Sequence, residues 1–239
     1  MILFVKRKTS NRIKRYKIIM AFLPILLIVN YAFSITYYFG ETEGKIKRDR
    51  YFIVNEIPNG YEMRFYTIQG RDTTIREFFE TDKMYDVKKW HYINGSNKTN
   101  INGIRQKQLI EISGVLKGDS LKHTIKIDSL PWYQQFPFQL SKKMSGKDIK
   151  KFEFWAVGTD GPGAAKAVKF KAEPLSTNVQ EIHGIKYNTR QLRIGLTSFI
   201  AHMWHCDAWF NSETGEFLMY NGKNSPFLPL TILELVSRN

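Results

Sequence analysis

Beyond Lys45 apolar and polar residues alternate with a period of two, the spacing that turns one side of a β-strand to a core and the other to water. Tyr51-Phe52-Ile53-Val54 runs on to Ile57 and is closed by the turn residues Pro58-Asn59-Gly60. Met63, Phe65 and Thr67 then alternate with Arg64, Tyr66 and Ile68, and Gly70-Arg71-Asp72 breaks the chain before a strand over 73–80. Further strands are predicted over 85–93, 104–116, 121–127, 151–157, 167–172, 179–187 and 191–196. Lys117-Gly118-Asp119-Ser120 is a hairpin turn, because Gly and Asp tolerate left-handed dihedrals. The last hairpin pairs 206–210 with 216–220 around Asn211-Ser212-Glu213-Thr214-Gly215. Short helices fit only at 141–151 and 196–202, and 230–236 fits either a helix or a closing strand. The pattern predicts a mainly β protein of about ten strands: a single strongly curved antiparallel sheet or incomplete barrel, since a flat one would leave an apolar face wet.

Two stretches interrupt the alternation. Leu130-Pro131-Trp132-Tyr133-Gln134-Gln135-Phe136-Pro137-Phe138 is aromatic and bounded by prolines, so it is no central strand. It is either a plug that packs Trp132, Phe136 and Phe138 into one end of the sheet or a lid over an apolar cavity. Thr159-Asp160-Gly161-Pro162-Gly163-Ala164-Ala165 is Gly-rich but lacks the Lys-Ser/Thr pair of a phosphate-binding loop, and reads as a long connection.

Residues 18–39 differ from everything after them. They are uncharged and apolar, and as a helix of about 22 residues would span roughly 30 Å, the thickness of a hydrocarbon core. Lys6, Arg7, Lys8, Arg12, Lys14, Arg15 and Lys17 precede the run with no acidic residue among residues 1–40, which keeps that end in the cytoplasm and exports the rest. The chain thus divides into residues 1–40, a signal peptide or an uncleaved membrane anchor forming one N-terminal helix, and an exported all-β domain over 41–239. Small residues Ala32 and Ser34 flank Phe33 as at a signal-peptidase site after Ser34, while Tyr37-Tyr38-Phe39 would suit the outer interface of a retained anchor. No cysteine lies near this boundary, so attachment as a bacterial lipoprotein is excluded. The expected location is the periplasm, free or anchored to the inner membrane.

The chain has 239 residues, 43% of them hydrophobic and 14% aromatic, enough for a packed core and unlike a disordered protein. The formal charge is +14, but half of it lies in the first 40 residues, so the basicity reads as targeting and not as nucleic-acid binding. Lys45, Lys47, Arg48 and Arg50 form a basic stem just past the leader, and Lys142, Lys143, Lys147, Lys150 and Lys151 a second run; both read as solvated or lipid-facing charge. A single cysteine, Cys206, rules out an internal disulfide or a zinc site built on two thiolates.

Reactive residues concentrate in His202-Met203-Trp204-His205-Cys206-Asp207. On a helix, His202 and His205 would share a face at metal-ligand spacing; on a strand they part, and Cys206 faces away from His205. A thiol nucleophile with a histidine base is the enzymatic reading, and a small buried cysteine the ordinary one. No Gly-x-Ser-x-Gly elbow is present, and no cofactor is implied.

The segment from Asp207 to Tyr220 (Asp207-Ala208-Trp209-Phe210, the turn, then Phe217-Leu218-Met219-Tyr220) resembles a strand–turn–strand signature of exported bacterial proteins of unknown function. The strand end Trp90-His91-Tyr92-Ile93-Asn94-Gly95 is similar in style. Such proteins are similar to the LolA/LolB-like lipoprotein carrier and receptor fold, a curved antiparallel sheet wrapped round an apolar cavity. The resemblance implies architecture and names no catalytic residue.

These features lead to the expectation of a non-enzymatic envelope protein that binds a lipid or other apolar small molecule on the concave face. Phe65, Phe79, Trp90, Trp132, Phe138, Trp155 and Trp209 are the candidate lining residues, and the membrane is a partner through residues 18–39 if the leader stays. A protein-interaction or scaffold module, and a metal- or thiol-dependent hydrolase using His202, His205 and Cys206, are the alternatives.

Overall fold

Left-handed turn residues divide the chain into antiparallel strands. The computed structural model describes residues 34–146, 148–159, 165–197, 204–223 and 229–239. The strands are β1 (Ser34–Glu43), β2 (Ile46–Ile57), β3 (Gly60–Gln69), β4 (Asp72–Thr81), β5 (Val87–Asn94), β6 (Thr99–Gln106) and β7 (Leu109–Leu116). They continue with β8 (Asp119–Lys126), β9 (Phe152–Gly158), β10 (Lys166–Ile182), β11 (Ile185–Leu196), β12 (His205–Asn211), β13 (Phe217–Lys223) and β14 (Leu230–Arg238). All fourteen lie in one sheet in the order β8-β7-β6-β5-β4-β3-β2-β1-β14-β13-β12-β11-β10-β9. First and last strands pair antiparallel at its middle, Glu41 opposite Leu233, and β8 and β9 are its edges. The sheet is mainly antiparallel β, as the alternation predicts, and does not close into a barrel.

One face carries the core. Phe39, Phe52, Phe65, Phe79, Phe154, Phe210 and Phe217 are all buried and belong to a single apolar cluster drawn from both halves of the sheet. Their rings meet edge-on or tilted, as Phe39 with Phe52 at 5.4 Å and Phe210 with Phe217 at 5.7 Å between centroids. Each such side chain contributes roughly 1.5–3 kcal/mol by leaving water, so an aromatic-rich face holds the curl without a second sheet.

The Pro-bounded segment after β8 is drawn into this concave face. The Trp132 carbonyl accepts from Val87 N on β5, and its residue forms a parallel bridge with Trp155 on the β9 edge. Tyr133 N donates to Trp155 O and Trp155 N to Pro131 O, both at 2.8 Å. Asp86 accepts from Trp132 N at 2.8 Å and from Arg105 Nη1 at 2.7 Å, and Gln139 Nε2 donates to Tyr85 O at 2.9 Å. Trp132 is fully buried against Gly103, where an added Cβ would stand 3.0 Å from the indole. The segment therefore packs as a strap inside the curl, with helical turns at Phe136–Gln139 and Ser141–Met144.

Several boundaries differ from those read in the sequence. The β unit begins at Ser34, not at residue 41: Tyr37 packs against Phe138 and Phe39 is fully buried, so the aromatic end of the apolar run belongs to β1. The stretch 104–116 is two strands, because Lys107 turns left-handed at φ 56° without a glycine to announce it. The strand expected over 179–187 is the end of β10 and the start of β11, joined by His183 and Gly184 at φ 48° and 79°, a two-residue turn of the mirror-image kind. Residues 230–236 resolve as strand, since they pair with both β1 and β13. Residues 18–33, the greater part of the leader, lie outside the described residues, and among the described residues no helix is long and apolar enough to cross a membrane.

Candidate functional site

The β1–β2 hairpin places charges where the rest of the sheet places rings. Counting inward along β1 from its start gives Phe39, Glu41 and Glu43; counting back along β2 gives Phe52, Arg50 and Arg48. Arg48 Nη1 donates to Glu41 Oε1 at 2.6 Å and to Glu43 Oε2 at 2.7 Å, and Arg50 Nε pairs with Glu41. Glu41 is almost fully buried; the arginine side chains remain 19% and 17% exposed, so the cluster sits at an opening and not in a sealed core.

A cavity of about 510 Å³ lies over this cluster. Its polar part is Glu41, Glu43, Arg48 and Arg50 with Thr67, Gln69 and Thr231; its apolar part is Phe52, Phe136, Phe138, Phe217 and Leu233. Gln69 and Ser96 are its exposed lining residues; Phe52, Phe138 and Phe217 are buried, and so are Glu41, Glu43, Thr67 and Thr231. Phe52 and Phe138 stack at 4.5 Å between centroids, which joins the strap to the sheet at the bottom of the hollow. The strap thus fills one part of the concave side with Trp132 and Tyr133, and walls the remaining space with Gln134 to Phe138.

Beside the cavity Glu77 on β4 is buried. Trp90 Nε1 donates to its Oε2 at 2.8 Å, and Gln135 Nε2 on the strap donates to its Oε1. Burial pushes the Glu77 carboxyl up to about 7, against the lowering effect of those two hydrogen bonds and of the Arg50 charge. Thr67, opposite Arg50 on β3, is 1% exposed, lines the cavity, and its hydroxyl has no hydrogen-bond partner in the structure. Buried hydroxyls are nearly always paired, so this one stands out.

Of the seven residues picked out as lining, Phe138 is in the cavity wall. Phe65, Phe79, Trp90 and Trp132 belong to the core cluster, with Trp90 edge-on to Trp132 at 6.1 Å, and Phe79 and Trp90 also line a second cavity of about 330 Å³. Trp155 faces away from Phe154, its indole N–H on Asp128 at 2.8 Å and Lys169 over its ring at 4.9 Å. Trp209 stands between Gln191 and Met219, on the face opposite to Ala208 and Phe210 and outside the core cluster. The missed residues are the charged ones. Arg48 and Arg50 read as a solvated stem, yet Glu41-x-Glu43 and Arg48-x-Arg50 mirror each other across the Gly44 turn, a spacing that puts all four on one face.

Of the histidine–cysteine cluster, only His205 and Cys206 are among the described residues. His202 lies outside the described residues, His205 is exposed, and Cys206 is buried on the opposite side of β12. Burial pushes the Cys206 thiol well above its usual range, the reverse of what activates a nucleophile. Among the described residues no group of three or more His, Cys, Asp or Glu is placed to hold a metal.

The final hairpin explains its own sequence. Asn211 Oδ1 accepts from Glu213 N at 2.9 Å and Thr214 N at 3.1 Å, and Gly215 N donates to Asn211 O at 2.9 Å. Gly215 turns left-handed at φ 74°, and a Cβ there would lie 2.3 Å from Ser145 N of the turn after the strap. The motif is thus also a seat for the strap.

Comparison with solved structures finds this architecture elsewhere. One match is the beta-barrel-like protein of a domain of unknown function, DUF1849, from Brucella abortus, with a TM-score of 0.57 and 8% identity over 86% of this chain and 96% of that one. The likeness is one of fold. A second match is the hypothetical lipoprotein YmcC from Escherichia coli K12, with a TM-score of 0.40 and 12% identity over 97% of this chain and 99% of that one. No family model matches the chain, and no curated protein does.

Proposed function

We propose that residues 34–239 form a non-enzymatic domain of the bacterial cell envelope that takes up a lipid or other amphipathic small molecule in the concavity of its sheet. The observation that carries this reading is the cavity, whose lining joins four paired charges to a set of aromatic rings. Its volume of about 510 Å³ falls within the range of small-molecule sites. Seven cations ahead of the apolar run 18–39 support export, as does the resemblance of the final hairpin to exported proteins with LolA/LolB-like sheets. With β1 starting at Ser34, cleavage after that residue leaves the sheet nearly whole, and a retained anchor would have to end near Phe33.

The test uses N-phenylnaphthylamine, a neutral dye that brightens in apolar surroundings. Addition to the purified protein gives a saturable rise in emission, and Ile75→Trp, which fills the lining from the partly exposed strand β4, reduces it. No rise, or a rise that Ile75→Trp leaves unchanged, refutes the reading.

A further inference from the structure

Resting on the reading that the concavity takes an amphiphile, we propose that the molecule it takes is a single-chain zwitterion. Its head, bearing one anionic and one cationic group, sits on Glu41, Glu43, Arg48 and Arg50, and its chain lies against Phe52 and Phe138.

Three observations support this. The first is the charge balance of the mouth. Two carboxylates and two guanidinium groups alternate across one hairpin and neutralise each other in pairs. A simple anion entering here would meet the arginines with two buried carboxylates already beside them and would be repelled by both, and a simple cation has the mirror problem. A zwitterion avoids both: its anionic group adds to Arg48 and Arg50 while its cationic group faces Glu41 and Glu43. Arg48 has five N–H donors, and its pairs with Glu41 and Glu43 both run through Nη1, so the guanidinium retains donors for an incoming phosphate-like group.

Second, the Thr67 hydroxyl, buried in the lining and facing Arg50 across the β2–β3 pair, has no hydrogen-bond partner. An orphaned buried hydroxyl is costly, and beside an arginine it is placed to donate to the same anionic group.

The third is the lining. The charges come from the β1–β2 hairpin and the rings of Phe136 and Phe138 from the strap, so one hollow of about 510 Å³, in the range of a small-molecule site, offers a polar wall to a head and an apolar wall to a chain.

The experiment is calorimetric titration of the full chain, as isolated from exporting cells, with four dodecyl probes below their micelle concentrations: dodecylphosphocholine, dodecyl phosphate, dodecyltrimethylammonium and dodecyl maltoside. Dodecylphosphocholine is expected to bind about tenfold more tightly than each of the others, the factor that one extra charge-assisted hydrogen bond supplies. Thr67→Val, which removes the orphan hydroxyl at nearly constant shape, should weaken dodecylphosphocholine and dodecyl phosphate alike by several fold and leave dodecyltrimethylammonium and dodecyl maltoside unchanged, without lowering the melting temperature. Glu43→Gln should shift the preference to dodecyl phosphate. Equal binding of all four probes, or tighter binding of dodecyl phosphate by the unaltered protein, overturns the zwitterion assignment and leaves the amphiphile reading standing. Failure of every probe to bind overturns both.

Discussion

Glu77 ties the strap to the sheet, and its protonation should be visible in stability. Its carboxyl is raised from 4.5 to about 7, chiefly by burial. A carboxyl raised on folding holds a proton that the unfolded chain has already lost, so native stability falls as the pH climbs between these two values and levels off above the upper one. At about 1.4 kcal/mol per pH unit the loss is roughly 3 kcal/mol. For a domain of this size roughly 2–4 °C follows each kcal/mol, so the melting temperature should drop by about 6–12 °C from this group alone. Other carboxyls titrate in the same window, and the comparison that isolates Glu77 is with Glu77→Gln. The amide is a permanent stand-in for the protonated acid: its oxygen still accepts from Trp90 Nε1, and Gln135 can rotate its own amide to match. Calorimetric melting of both proteins from pH 5 to pH 8 should give equal values at the acid end and a variant more stable by roughly 3 kcal/mol at the alkaline end. Parallel curves would refute the placement of a neutral carboxyl under the strap.

Four further outcomes follow from the same structure. Gly215→Ala adds a Cβ 2.3 Å from Ser145 N at a left-handed position, and urea unfolding should show a loss of about 2 kcal/mol or more. Trp132→Ala empties the centre of the strap and should cost about 3–5 kcal/mol by the same measure. Asp86→Ala leaves Arg105, whose side chain is 8% exposed, without its carboxylate partner and should cost about 3 kcal/mol, whereas Asp207→Ala at the exposed Arg193 pair should cost less than about 1 kcal/mol. A chain starting at Ile35 should give the dispersed amide spectrum of a folded β protein, and one starting at Glu41, which lacks Phe39 and the pairing of Thr36 with Asn239, should not.

Period-two patterning was enough to read most of the sheet from the chain, because strands such as β3 and β6 bury alternate residues and most turns use Gly, Asn or Asp. It failed where a turn was made by a residue that does not advertise it, as at Lys107, and where a strand was apolar enough to pass for membrane, as with Ile35 to Phe39. The strap was legible as an irregular aromatic segment from Pro131 and Pro137. Its anchors were not, because Asp86, Glu77 and Trp155 are separated from it by tens of residues and reach it only through the curl. The candidate site was half legible. Large aromatics mark the concave face collectively, yet of those singled out only Phe138 lines the cavity at the β1–β2 hairpin, where charged residues interrupt the rings. Lys45, Lys47, Arg48 and Arg50 look alike in composition; only the alternation about Gly44 separates the two that face solvent from the two that face in.

The central claim is that the hollow between the β1–β2 hairpin and the strap holds an alkyl chain. A crystal structure grown in the presence of dodecylphosphocholine tests it most directly. Density for the chain along Phe52, Phe138 and Phe217, with the head at Arg48 and Arg50, is the predicted result; a hollow occupied by solvent, with the detergent absent or bound elsewhere on the sheet, would contradict it.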